Sequence, residues 1–132
     1  MLITGAVCLS VALVEAWLLI AHFASEAGPI ARLIPERREL LRSHIDYLMM
    51  SQFLFVFYGL TRLLEIALPG LIVVALCAGS FFNPCAFLIR AICPSIIKQP
   101  PASFMAFSMA SSLATTIGYL SVAWIIVRVA LK

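Results

Sequence analysis

The sequence is poor in charge. Only 11% of its 132 residues are Asp, Glu, Lys or Arg, while 64% are apolar, and its mean hydropathy is +1.10. Soluble domains carry about a quarter charged residues, so a soluble domain is excluded. The apolar stretches are continuous and do not alternate residue by residue, which argues against a β-barrel. None of the four cysteines, Cys8, Cys77, Cys85 and Cys93, forms a CxxC pair. Neither a zinc site nor a disulfide framework is therefore expected, and the cysteines read as small buried apolar side chains. The net charge of +3 comes from basic residues scattered over loops and helix ends. With no aromatic-interleaved basic stripe among them, no nucleic-acid partner is expected. The first apolar stretch has no basic segment before it, contains Glu15 and outruns a typical signal core, so it reads as a retained helix. There is no internal repeat and no low-complexity segment.

What the sequence does have is four long apolar segments, at about 2–23, 35–68, 70–90 and 103–131. Crossing the hydrocarbon core takes roughly 20 apolar residues per helix, and these four use nearly the whole chain. The expectation is an all-α, integral membrane four-helix bundle forming one transmembrane domain over 1–132. The first connection holds Glu26, Gly28, Pro29 and Arg32. Pro35, followed by Glu36 and Glu39, suits a helix start, and no breaker follows until Pro69-Gly70. That second helix would run roughly 50 Å against about 30 Å of hydrocarbon. It is predicted to project beyond the bilayer, with Glu36, Arg37, Arg38, Glu39 and Arg42 in headgroups or water. Pro84 falls inside the third helix and can kink it, and the carbonyl it frees must find another partner. Ser103 is the predicted N-cap of the fourth, whose Ser108, Ser111, Ser112, Ala114, Thr115, Thr116 and Gly118 permit close helix approach. Arg32, Arg37, Arg38, Arg42, Arg90 and Lys98 share one side, and Arg62, Arg128 and Lys132 the other. The bias puts the first and third connections in the cytoplasm.

Ionisable groups within a span are costly and point to function. Here they are Glu15, His22, His44 and Asp46, with Tyr47, Gln52, Tyr58 and Asn83 as neutral companions. Counting inward from the shared side, Glu15, Asn83, Asp46 and Tyr47 fall within roughly 12 Å of one face, which suggests a site in one leaflet rather than a pore. His44 reads either as an interfacial histidine or as a ligand to a metal or haem iron. Asp46 lies about 160° around the helix from it, so its partner is on another helix or subunit. Glu15 and His22 share a face of the first helix, as inter-helix hydrogen-bonding groups or as a proton relay. Asn83 either satisfies the backbone opened by Pro84 or points into a cavity. Phe53, Phe55, Phe57, Phe81, Phe82 and Phe87 either line an apolar pocket or face lipid.

The run Arg42-Ser43-His44-Ile45-Asp46-Tyr47-Leu48-Met49 resembles the Arg-x-His-(Leu/Ile)-(Asp/Glu)-x-Leu-(Leu/Met) region of hydroxylaminobenzene mutase-like membrane proteins. These are relatives of styrene oxide isomerase, whose asparagine-containing third helix Phe82-Asn83-Pro84-Cys85 also resembles. The resemblance implies a small four-helix membrane protein, a trimer, holding haem b with His44 as the axial ligand of the haem iron. It further implies a redox-neutral rearrangement of a small apolar, aromatic epoxide or hydroxylamine, with ferric iron as Lewis acid. Asn83 would lie beside the substrate, with Asp46 and Tyr47 as further catalytic candidates. The chain departs from the isomerase at Met50, where that protein has asparagine, and at Phe87, where it has tyrosine. The choice of substrate is thereby left open. Two other classes stay in view. One is a haem-binding membrane protein without rearrangement activity, which a second axial ligand from His22 would favour. The other is a small non-enzymatic oligomeric subunit assembled through the small-residue face of the fourth helix.

Overall fold

In the computed structural model, which describes residues 1–24 and 28–131, the chain is helical almost throughout, and no strand occurs among the described residues. Four long helices, α1 (Leu2–Ala24), α3 (Arg37–Leu63), α4 (Gly70–Ile92) and α6 (Ala102–Ala130), follow one another. Single turns, α2 (Pro29–Leu33) and α5 (Ser95–Lys98), fill the first and third connections. Glu26 and Lys132 lie outside the described residues. Helices α1, α4 and α6 are each long and apolar enough to cross a membrane. Helix α3 is the polar member of the four, carrying Asp46, Gln52 and Arg62, and it packs between α1 and α4.

Neighbours in sequence are neighbours in space. Helix α1 packs on α3, α3 on α4 and α4 on α6, whereas α1 and α6 barely meet, so the helices form an open row. Gly5 lies against Phe55 and Glu15 against Ser43, which makes α1 and α3 antiparallel. The core centres on Cys8, Ala12, Tyr47, Leu54, Leu76 and Val122. The α4–α6 seam is closest at two glycines. A Cβ on Gly79 would collide with the Thr115 backbone nitrogen, and one on Gly118 would stand 2.5 Å from Leu76 Cα. The small-residue face of α6 thus permits backbone-to-backbone contact, as small residues do between helices in lipid.

Several boundaries differ from expectation. The helix anticipated over 35–68 is Arg37–Leu63. Glu36 is not helical, and its N–H donates instead to the Ala91 carbonyl of α4 at 3.2 Å. The far end closes without glycine or proline. Glu65 adopts φ 53, Glu65 N–H donates to Arg62 O and Ile66 N–H to Thr61 O, the two bonds of a Schellman cap. The shortened helix is about 40 Å long, and its first turns do not stand clear of their neighbours. Ile34 and Leu40 are buried with Leu19 of α1 and Ala91 of α4, and Arg37 lies over the Phe23 ring at 4.4 Å. Glu39 is itself buried, paired with Arg42 and within 4.0 Å of Arg90. Ser103 caps nothing. Helix α6 starts one residue earlier, behind Pro101.

Candidate functional site

The register of α3 against α1 and α4 sets the site. Ser43, Tyr47, Ser51 and Leu54 are buried along the inner side of α3, the spacing of residues that share one helical face. His44 and Asp46 flank that side in opposite directions. His44, half-buried, places Nδ1 2.8 Å from the Ala12 carbonyl of α1. A carbonyl can only accept, so Nδ1 carries a hydrogen and donates it. Nε2 is then left with its lone pair in the neutral ring, the tautomer of a histidine that ligates through Nε2 with its other nitrogen fixed by a hydrogen bond.

Asp46 turns toward α4. Asn83 Nδ2 donates to Asp46 Oδ2 at 3.4 Å, and Ser112 Oγ of α6 donates to Asn83 Oδ1 at 2.9 Å. One polar chain thus crosses three helices and ends at exposed Ser112. Asn83 does not mend the backbone opened by Pro84. That falls to Cys8. The Cys8 thiol lies 3.9 Å from the Ser80 carbonyl, the acceptor that Pro84 cannot serve, and the Tyr47 hydroxyl donates to the next carbonyl, Phe81 O, at 3.0 Å.

The structure therefore brings Asp46 and Asn83 together and puts Tyr47 at the same α3–α4 seam. It does not bring them to His44, which faces α1. Glu15 and His22 share the buried face of α1. Glu15 accepts from Ser43 Oγ at 2.7 Å, and His22 Nε2 lies 3.2 Å from the Ile34 carbonyl. His22 sits ten residues beyond the Ala12 carbonyl that holds His44, roughly 15 Å along the axis. Two ligands of one iron cannot be that far apart, so within one chain His22 is no second axial partner for His44. Among the described residues no three His, Cys, Asp or Glu side chains cluster as ligands, and a haem held by one axial histidine requires no such cluster.

The six phenylalanines do not form one pocket. Phe81 packs on Tyr47 and Phe82, Phe53 and Phe57 on Tyr119, Phe55 on Gly5, and Phe87 beneath Arg90. An apolar groove of about 360 Å³ between α4 and α6 takes only Phe82 of the six, with Phe107 beside it. Three residues of the network escaped the reading of the sequence as site residues. Ser43 links Glu15 to the Pro84 region, Ser112 ends the Asp46–Asn83 chain, and the Tyr119 hydroxyl lies 3.0 Å from Ser80 Oγ and 3.2 Å from Met50 Sδ. Tyr119 alone carried a signal, as a phenol inside a span of small residues. Compared with known protein families, curated proteins and solved structures, the chain matches none.

Proposed function

We propose that the chain is a multi-pass membrane haem protein, with α3 as its fourth span, that carries out a redox-neutral rearrangement of a small apolar, oxygenated aromatic compound. The carrying observation is the hydrogen bond from His44 Nδ1 to the Ala12 carbonyl, which fixes the ring and leaves Nε2 as the donor a haem iron requires. When bound, the iron would supply Lewis-acid polarisation of the substrate oxygen. His44 would hold the group. The α1 backbone would orient His44. Asn83, held between Asp46 and Ser112, would present an amide to a polar atom of the substrate, and the surrounding apolar helices would exclude water.

Because His44 turns from α3 toward α1 while Asn83 of α4 meets the flank of α3 that carries Asp46, they would meet over one substrate only across copies, His44 from one and Asn83 from the next. That supports the oligomer, a trimer by resemblance, which the open row of helices also favours. A bacterial inner membrane is the proposed location, with the first and third connections, flanked by Arg32, Arg37, Arg38, Arg42, Arg90 and Lys98, on the cytoplasmic side. The test is to mix detergent-purified protein with phenylhydroxylamine or an aryl epoxide, without reductant. Rearranged product that falls at least tenfold in Asn83→Ala is expected, and turnover only when reductant is added would overturn the proposal.

A second reading has its own observation. Ser112 and Thr116 are exposed along α6, and a polar stripe facing lipid calls for cover. A small oligomeric subunit without cofactor accounts for that stripe as well, and it predicts assembly with no visible spectrum.

A further inference from the structure

Glu15 sits midway along α1 and is only 2% exposed. One carboxyl oxygen accepts from Ser43, and the other has no hydrogen-bond partner among the described residues. Among the described residues no cation is paired with it. Arg42 and Arg90 are drawn to Glu39, Arg37 stacks on Phe23, and the two histidines are bonded to the Ile34 and Ala12 carbonyls. Its titratable neighbours, Tyr47 on α3 and Cys85 on α4, bring no positive charge. Beside it, between α1 and α4, runs a groove of about 270 Å³ lined by Ser10, Val11, Val14, Glu15, Leu18 and Leu88.

A carboxylate in hydrocarbon without a partner is costly, so this position holds either a carboxyl proton or a cation. A metal ion is poorly served, since hard cations take six or more oxygen ligands and the groove is otherwise nearly all hydrocarbon. A hydrophobic amine matches both halves. We propose that Glu15 is the counter-ion of a binding site for a hydrophobic primary or secondary amine, its ammonium N–H donating to the free carboxyl oxygen and its apolar body lying in the α1–α4 groove. The amine arrives from water already protonated. When it pairs with Glu15 the carboxyl proton leaves to solvent, one proton released per amine bound. Ser43 serves both states. Its hydroxyl donates to ionised Glu15, and when Glu15 is protonated it accepts from the acid and turns its own hydrogen to the Pro84 carbonyl, 3.3 Å away.

The inference is independent of haem, so His44→Ala protein should bind the amine unchanged. The test is calorimetric titration of the detergent-purified protein with β-phenylethylammonium chloride, in two buffers of different ionisation enthalpy. Saturable binding with about one proton released is expected, weakened roughly tenfold or more in Glu15→Gln, since charge-assisted bonds are the strong ones. Val14→Trp fills the groove with Glu15 retained, and should weaken binding while helicity is unchanged. The quaternary trimethyl analogue, which has no N–H to donate, should bind more weakly than the amine. Equal binding by wild type and Glu15→Gln, binding without proton release, or no saturable binding by folded wild type would each overturn the proposal. The last result would leave the groove to a lipid chain.

Discussion

Tyr47 is the largest of the fully buried side chains, and its hydroxyl donates to a carbonyl of α4 close to Pro84. That bond ties α3 to α4, and its loss leaves the buried phenol position without its polar partner in an apolar core. Tyr47→Phe should lower unfolding free energy by roughly 0.5–1.5 kcal/mol, read by SDS titration of the helical signal. Glu65 tells the opposite story. A left-handed conformation costs a non-glycine residue about 1–2 kcal/mol, and Glu65 adopts it only to complete the cap of α3. Glu65→Gly should therefore stabilise the protein by about 1 kcal/mol in the same titration, and a loss of stability would show that the cap is not what ends α3.

Among the elements, α4 and α6 depend on glycine and α3 does not. Gly79 and Gly118 lie where a side chain would meet a neighbouring backbone, while a Cβ on Gly59 of α3 would meet nothing within 4 Å. Gly118→Val should separate α6 from α4 and expose it to limited proteolysis, whereas Gly59→Ala should gain about 0.5–1 kcal/mol. The same contrast explains what could be read in the sequence. Proline marks the starts of α4 and α6, and both were visible as residues at which a helix can begin but not continue, whereas α4 runs on through Pro84. The end of α3 was not visible, because Glu65 has no intrinsic preference for the conformation that stops it. Its N-terminus was also hidden. The Glu36 N–H is taken by Ala91 of another helix, a tertiary bond with no local trace.

At the scale of the whole molecule, polar contacts join α1, α3 and α4: Ser43 bonds Glu15 and lies against the Pro84 carbonyl, and Asp46 meets Asn83. What counting along the sequence could not supply was the pairing. Asp46 was predicted to point away from His44 and does so, but its partner, Asn83, and the extension to Ser112 depend on how α4 and α6 are rotated. Helix α6 packs chiefly on α4 and is otherwise bare, with Met109, Leu113, Leu120 and Trp124 exposed. The proposed assembly predicts a protein mass in detergent of three chains, whereas a single-chain mass with activity retained would remove the requirement that His44 and Asn83 come from different copies.

The central proposal, that His44 ligates haem iron through Nε2, is tested most directly by the visible absorption spectrum of protein purified in detergent from haem-supplied cells. A Soret band in the wild type that disappears in a folded His44→Ala protein, and persists in Glu15→Gln, is the predicted result. A colourless folded wild type, or a band unchanged by His44→Ala, would contradict it.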